Sequence, residues 1–215
     1  MDAGSNQIDS RWVMDLFRSV GVLQEGHFLL TSGRHSARYL QCARLLQYPA
    51  HTAKLCSTLA SFFSGRGVEV VVGPAIGAII IAYETARALG ARALFAEREG
   101  GRMCLRRGFS IAPGEKVLVV EDVVTTGGSV REVVDLVREQ GADVVGVGVL
   151  VDRSGGKVDF GTDLAALVRM QIQAYLPEEC PLCRRGLELV KPGSRQLPGE
   201  TRGPCSRKGD AGWKQ

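Results

Sequence analysis

The sequence predicts an α/β protein with a doubly wound parallel sheet, and three observations support this fold class. Short apolar runs at 68–72, 116–120 and 144–151 are rich in valine and have the length of buried strands. Apolar residues at helical spacing separate these runs at 77–89 and 129–140. The alternation of strands and helices is typical of βαβ units, in which ligands bind at the carboxyl ends of the strands.

The remaining elements follow in order along the chain. Apolar residues at helical spacing predict a helix over 8–20 and another over 49–65, each closed by a glycine. Between them, residues 28–36 have the pattern of a short strand and a turn. The segments 91–95 and 167–175 are further strand candidates.

Length and composition place the chain among globular proteins with one main domain. It has 215 residues, of which 45% are apolar and 23% charged. The longest uncharged stretch, 70–83, is too short to cross a bilayer, and the first residues lack an apolar signal core. We therefore expect a cytoplasmic protein without membrane partners, and we expect its six cysteines to be free thiols.

Charge and proline content divide the chain near Leu176. Residues 1–176 carry 19 basic and 18 acidic residues, whereas residues 177–215 carry 8 and 5. Five of the eight prolines lie in that last segment, and the apolar periodicity stops there. We expect 177–215 to be an irregular tail, disordered from about Ser194 onward. The nearly neutral main body gives little support for binding of nucleic acid.

The strongest functional signal is the segment 117–129 (VLVVEDVVTTGGS), which leads from a buried strand into a helix. Its glycines allow the backbone to approach a ligand, and its threonines and serine add hydroxyl donors. The first N–H groups of a helix lack intrahelical partners and favour an anion, so the turn predicts a phosphate site. Glu121 and Asp122 can accept hydrogen bonds from sugar hydroxyls or hold water on Mg²⁺. The alternative is a tight turn in which Ser129 only caps the helix.

Other nucleotide and hydrolase motifs are absent from the sequence. It contains no Gly-x-x-x-x-Gly-Lys-Ser/Thr and no Gly-x-Gly-x-x-Gly that opens a helix, so neither a P-loop nor a dinucleotide fold is indicated. It also lacks a nucleophile elbow and a Ser/His/Asp set at hydrolase spacing. A monophosphate beside paired hydroxyls, as in a ribose 5-phosphate, remains the ligand that the loop fits.

Four segments resemble a known enzyme family. Residues 117–130 resemble the phosphoribosyl diphosphate (PRPP) motif of type I phosphoribosyltransferases. Three others are similar to orotate phosphoribosyltransferases: 28–39 (FLLTSGRHSARY) resembles the orotate-side segment, 73–77 (GPAIG) the diphosphate-binding loop, and 150–153 (LVDR) the strand end whose arginine contacts the orotate carboxylate. The four segments occur in the family's order within residues 10–175.

The resemblance implies a fold and a reaction. Residues 1–176 would form a type I phosphoribosyltransferase domain, with a small N-terminal hood formed mainly by 1–48. The enzyme would transfer the 5-phosphoribosyl group of PRPP to orotate, giving orotidine 5′-monophosphate and diphosphate in pyrimidine synthesis. Mg²⁺ would be held through PRPP and water, without direct protein ligands. The family also implies a homodimer with active sites shared across the interface.

The resemblance assigns roles residue by residue. The PRPP-binding residues would be Glu121, Asp122, Val123, Val124, Thr125, Thr126, Gly127, Gly128, Ser129, Gly73, Pro74, Ala75, Ile76 and Gly77. Orotate would be bound by Thr125 and Arg153, and an arginine suits a carboxylate because it can pair with both oxygens. The catalytic groups would be Asp122, Glu121, Arg98, Arg102, Arg106 and Arg107.

The segment 97–109 holds three glycines and the four arginines just named. Flexibility and positive charge suit a lid over a diphosphate, and the alternative is a solvated surface hairpin. The segment departs from many family members, whose lid is longer and carries lysines and a histidine. Thr31 and the pair Ile76-Gly77 likewise stand where lysines are often found.

Two alternative functions stay open at this point. One is a phosphoribosyltransferase for another base, although Arg153 favours an acidic base. The other is a regulatory homologue without activity that senses PRPP or binds RNA.

The cysteines and histidines carry weaker signals. Cys180 and Cys183 form a Cys-x-x-Cys, for which free thiols are the favoured interpretation and a metal site joining two chains is the alternative. The three histidines His27, His35 and His51 are scattered, and His35 either lines the substrate site or lies in a surface turn.

Overall fold

The computed structural model describes residues 10–30 and 32–192, and it contains a main sheet and a smaller one. The main sheet has six strands in the order β5-β4-β3-β6-β7-β8, all parallel except for β5 at one edge. These strands are β3 (Val70–Pro74), β4 (Arg92–Glu99), β5 (Arg102–Leu105), β6 (Lys116–Val124), β7 (Asp143–Asp152) and β8 (Leu164–Arg169). The predicted α/β fold class is confirmed.

Helices cover both faces of this sheet because alternate strand residues point to opposite sides. Val71 belongs to one apolar cluster with residues of α3 and α4, whereas Val70 and Val72 belong to another with residues of α5. The helices are α1 (Arg11–Ser19), α2 (Ala43–Leu46), α3 (Pro49–Ser61), α4 (Ile79–Leu89) and α5 (Gly128–Glu139). Helix α3 ends four residues before Gly65, where the sequence placed its end. The start of the first predicted helix, at residues 8–9, lies outside the described residues.

The smaller sheet is the hood, and both ends of the described chain contribute to it. Strands β1 (Leu23–Leu29) and β2 (His35–Leu40) form an antiparallel hairpin, and β9 (Ala174–Tyr175) pairs with β2. The strand predicted over 167–175 is therefore two strands. Its first half ends the main sheet as β8, and its second half joins the hood.

The segment after Leu176 is folded as far as the structure describes it. It forms a 3₁₀ turn (Pro177–Glu179) and the short helix α6 (Pro181–Arg184). Val190 then bonds to the hood, its N–H donating to the carbonyl of His27 and its carbonyl accepting from the N–H of Leu29 at 2.8 and 2.9 Å. Residues 177–192 thus differ from the irregular tail expected there. The disorder expected from Ser194 onward falls outside the described residues.

Within the described residues, no helix combines the length and apolar character that crossing a membrane requires.

Candidate active site

The candidate site lies where β3, β6 and β7 end, at the carboxyl edge of the main sheet. Strands β3 and β6 are neighbours in the sheet, but β3 connects to β4 toward one edge and β6 connects to β7 toward the opposite edge. Neighbouring parallel strands whose connections diverge leave a crevice between their end loops, and ligands bind in such crevices. The two segments assigned to PRPP by their resemblance, 73–77 and 121–129, each contain the last residues of β3 or β6 and the loop that follows.

The turn between β6 and α5 has the shape of an anion site. Gly127 has φ +77°, and a β-carbon there would stand 2.7 Å from Cγ1 of Val158 and 3.0 Å from the ring of Phe160. Only glycine therefore fits at the residue that precedes α5. Thr125, Thr126 and Gly128 are exposed and Ser129 is half-buried, so the helix N-terminus opens to solvent.

The acidic pair lies at the end of β6, immediately before this turn. One oxygen of Asp122 accepts the N–H of Val123 at 2.7 Å, and Oε1 of Glu121 accepts the N–H of Asp122 at 3.1 Å. Burial raises the pKa of Asp122 above its usual value, and the hydrogen bonds from Glu121 and from the backbone oppose this shift. Both acidic residues are half-buried, and along the chain they lie between the buried apolar residues of β6 and the exposed turn.

The loop after β3 is held against the same acidic pair. A β-carbon on Gly73 would stand 2.5 Å from Cβ of Ala78 and 2.6 Å from the carbonyl oxygen of Val120, so no larger residue fits there. The N–H of Ala75 donates to the carbonyl of Ala96 at 2.7 Å, and the Ala75–Ile76 peptide bond is cis. At the end of the loop, a β-carbon on Gly77 would stand 3.2 Å from Oδ2 of Asp122, so the chain passes close to that carboxyl group. The structure thus brings both proposed PRPP loops together.

Arg153 follows β7 and lies beside the end of β6, where the turn toward α5 begins. Its backbone N–H donates to the carbonyl of Val124 at 2.8 Å. The preceding Asp152 is buried, and it accepts the N–H of Ser154 at 2.8 Å, which fixes the path of the chain around Arg153. The side-chain Nε of Arg153 is buried and has no hydrogen-bond partner among the described residues, and burial lowers the pKa of the guanidinium. A buried cationic donor without a partner is costly, so this one is suited to an anionic ligand.

Tyr39 of the hood is a neighbour of this site that the sequence interpretation did not single out. Burial raises the pKa of its phenol, the negative charge of Asp122 raises it further, and the positive charge of Arg153 opposes both. Tyr39 is thus close enough to both groups to share their electrostatic field. It is the last residue of the quoted segment 28–39, which was the only signal that could have pointed to it.

The predicted lid is a regular hairpin formed by β4 and β5. Gly100 and Gly101 both have positive φ and form its two-residue turn, between the paired residues Glu99 and Arg102. Ala96 pairs with Pro74 at the end of β3, so the hairpin beyond it extends past the edge where the site lies. The segment is thus a hairpin at the surface, and its function as a lid stays a prediction.

Most of the hairpin arginines are paired within the chain. Arg98 contacts Glu132 of α5 at 2.7 Å, Arg107 makes a two-point contact with Glu97 at 2.8 and 2.9 Å, and Arg106 lies 3.4 Å from Glu99. Among the described residues, no ion pair involves Arg102, which is exposed. Thr31, the other departure on the substrate side, lies outside the described residues.

Comparison with known proteins identifies the family. A family model described as a phosphoribosyl transferase domain matches residues 45–159. An orotate phosphoribosyltransferase of Desulforamulus reducens is 57% identical over 185 residues, which cover 86% of this chain and 97% of that protein. The chain belongs to the orotate phosphoribosyltransferase family. A second member, from Thermotoga maritima, is 55% identical over 185 residues, covering 86% of this chain and 99% of the relative. The family, fold and transferase class expected from the four segments are confirmed.

Solved structures agree with this assignment. The crystal structure of orotate phosphoribosyltransferase from Aeropyrum pernix is 26% identical, covers 74% of this chain and 93% of its own, and has a TM-score of 0.64. An adenine phosphoribosyltransferase from Rhodothermus marinus, 16% identical, covers 73% of this chain and 99% of its own with a TM-score of 0.60. The latter likeness shows the fold alone, so the fold does not decide which base a member of it uses.

Proposed function

We propose that the chain transfers the 5-phosphoribosyl group of PRPP to orotate and releases diphosphate, as part of pyrimidine synthesis. We assign orotate as the base because Nε of Arg153 is buried and has no hydrogen-bond partner among the described residues. This residue lies beside the end of β6, where the turn toward α5 begins. Orotate differs from neutral bases by a carboxylate, which an arginine binds through paired hydrogen bonds. The 57% identity to a protein named for this activity supports the same choice.

The residues of the site match the demands of the reaction. The bond from the anomeric carbon to diphosphate breaks, and a bond to a ring nitrogen of orotate forms, while that nitrogen gives up its proton. Such a displacement passes through a cationic sugar, so the protein has to position two anions and exclude water. No nucleophilic side chain is needed.

Each loop has a defined task in this proposal. The turn 125–129 binds the 5-phosphate through backbone N–H groups and hydroxyls. Glu121 and Asp122 accept hydrogen bonds from the ribose hydroxyls. The backbone of 73–77 binds diphosphate, and Arg153 with Thr125 binds orotate. The hairpin arginines, of which Arg102 makes no ion pair within the described chain, would neutralise the leaving group.

Mg²⁺ fits this site as a companion of PRPP. Carboxylate oxygens are the hard ligands that Mg²⁺ prefers, and it keeps several waters when it binds with substrate phosphates. Asp122 and Glu121 each accept a backbone N–H through one oxygen, and in this proposal their carboxylates contact the ion through water. When bound, the ion would neutralise charge on the diphosphate.

A homodimer is part of the proposal, and an exposed apolar stripe beside the diphosphate loop supports it. Ile80 and Tyr83 are 44% and 63% exposed, and their spacing of three residues places them on one side of α4. Ile76, in the loop that precedes this helix, is 85% exposed. Exposed apolar residues that adjoin one another favour contact with another protein surface. In this proposal a second copy of the chain covers these apolar residues. A cytoplasmic location stays a prediction from the sequence.

The proposed activity is tested by following the absorbance of orotate in the presence of PRPP and Mg²⁺, omitting each component in turn. We expect loss of orotate only when all are present. Consumption of adenine or uracil in place of orotate would contradict the assigned base. PRPP binding without consumption of any base would favour the regulatory alternative, and salt-dependent RNA binding would then be measured.

A further inference from the structure

Four side chains that the proposed reaction does not use meet at the base of the hood. They come from β1, β2 and the start of α6: His27, His35, Cys180 and Cys183. Their ligand atoms all lie within 4.8 Å of one another. His27, His35 and Cys180 are buried, with 3%, 5% and 0% of their surfaces exposed, whereas Cys183 lies at the exposed rim.

The spacing of these atoms is that of a tetrahedral metal site. Nε2 of His27 lies 3.0 Å from Nδ1 of His35 and 3.5 Å from Sγ of Cys180. Sγ of Cys183 lies 3.2 Å from the same His35 nitrogen and 3.7 Å from Nε2 of His27. Around a tetrahedral Zn²⁺ with ordinary bond lengths, neighbouring ligand atoms are about 3.3–3.8 Å apart. The four donors therefore need little movement to enclose the ion.

The second nitrogen of His27 supports this role. Nδ1 lies 2.9 Å from the carbonyl oxygen of Leu187, to which it can only donate a hydrogen. That bond places the proton on Nδ1 and leaves the lone pair of Nε2 directed at the cluster. Metal-bound histidines are commonly held by such a bond to a carbonyl.

Hydrogen bonding within the cluster does not account for the arrangement. Three groups, those of His35, Cys180 and Cys183, approach Nε2 of His27 within 3.7 Å. A neutral imidazole nitrogen has one lone pair and accepts one hydrogen bond well. Two soft sulfurs and two imidazoles are instead the ligand set of structural zinc sites.

We propose that His27, His35, Cys180 and Cys183 bind one Zn²⁺ per chain as a structural site. The ion would join the hood hairpin to the segment that follows Leu176, reinforcing the backbone bonds between Val190 and β1. The two ligands that the Cys-x-x-Cys lacked come from the same chain, 145 or more residues away, and no second copy is required. The proposal is independent of the proposed function, because none of the four residues belongs to the candidate active site.

The test is the metal content of the full chain, purified without a metal-affinity tag from zinc-supplemented cells and measured by mass spectrometry. We expect about one zinc per chain in the wild type, as four protein ligands imply. Cys183→Ser and His35→Ala should lose it. The matched controls Cys104→Ser and His51→Ala, which lie outside the cluster, should retain it. A wild type without zinc, or equal retention in all four variants, would overturn the proposal.

Two further measurements keep the test valid if a variant folds poorly. Wild-type protein loaded with Co²⁺ should show the intense visible bands of tetrahedral coordination and a sulfur-to-cobalt charge-transfer band. Cys183→His, which retains a donor at the exposed rim, should keep the metal while that band falls by about half, since one of two thiolates remains. A weak octahedral spectrum, or a Cys180–Cys183 disulfide in protein prepared with zinc, would overturn the assignment.

Discussion

A β-carbon added to Gly77 would stand 3.2 Å from Oδ2 of Asp122, so the proposed diphosphate loop passes close to the acidic pair. The loop belongs to the end of β3 and the acid to the end of β6, which are paired strands with diverging connections. A side chain added at Gly77 would therefore press on Asp122. This proximity supports the proposal that the two segments form a single PRPP site.

Gly77→Ala should weaken PRPP binding while leaving the fold intact. The new methyl group must displace Asp122 by a few tenths of an ångström, and a loss of about 1.4 kcal/mol would lower the affinity about tenfold. Calorimetric titration with PRPP measures this directly. Gly73→Ala is the contrast, because its methyl group meets backbone and should lower the melting temperature. Unchanged PRPP affinity in Gly77→Ala would remove the proposed coupling.

Asp122→Asn should lower activity and raise stability. Loss of a charged hydrogen bond to the ribose costs about 1.5–3 kcal/mol, or roughly 10- to 100-fold in kcat/KM. Because burial raises the pKa of this carboxyl in the folded chain, keeping it ionised opposes folding at neutral pH. The free energy of unfolding should therefore be higher in the variant at pH 7.

The pH dependence of that difference gives a second check. The advantage of Asp122→Asn is fully present above the raised pKa, shrinks as the pH falls through it, and vanishes below the pKa of the unfolded chain. Thermal unfolding from pH 7 to pH 3 follows this trend. Asp135→Asn, which removes a carboxyl group at an exposed position on α5 outside the site, is the matched control. A variant less stable than wild type at pH 7 would contradict the assigned cost of burial.

Arg102→Ala should lower kcat by at least about tenfold with little change in melting temperature, because an exposed arginine contributes little to stability. Within the described residues this side chain has no ion pair, unlike the other three hairpin arginines. Steady-state kinetics at saturating PRPP measure the loss, with Arg18→Ala on α1 as a control. Equal kcat in both variants would assign the hairpin no part in the reaction.

Tyr83→Glu should convert a dimer into a monomer, because a charge would enter the apolar stripe formed with Ile76 and Ile80. Light scattering after size exclusion should give twice 23.1 kDa for the wild type and 23.1 kDa for the variant. Tyr48→Glu, an exposed tyrosine outside this stripe, is the control. An active wild type of 23.1 kDa would contradict the dimer.

Most strands of the main sheet could be predicted from the sequence, because buried parallel strands are continuous apolar runs that end at glycine, proline or charged residues. The runs before Pro74 and Glu121 placed the two loops correctly, and one glycine of each loop, Gly73 and Gly127, is required by close packing. The β4–β5 hairpin was harder to predict. Its glycines and arginines predicted a mobile, solvent-exposed segment. In the structure three of the arginines form ion pairs with Glu97, Glu99 and Glu132, and these pairs form only once the chain is folded.

The cluster of histidines and cysteines could not be predicted from local sequence patterns. The Cys-x-x-Cys was visible, but His27 and His35 lie far away in sequence and approach each other only because β1 and β2 form a hairpin. Tyr39 was missed for a related reason, since its neighbours Asp122 and Arg153 belong to the carboxyl edge of the other sheet. Contacts between the two sheets depend on how the hood packs on the main sheet, and the spacing of apolar residues along the sequence does not predict this packing.

The central claim, recognition of the orotate carboxylate by Arg153, is tested most directly by measuring the affinities of Arg153→Gln for orotate and for PRPP. We predict that orotate binding weakens roughly 10- to 100-fold, as loss of a charged hydrogen-bond pair implies, while PRPP binding stays within about twofold. Arg18→Gln, on the exposed face of α1, should change neither. Equal losses for both substrates, or an unchanged affinity for orotate, would contradict the account.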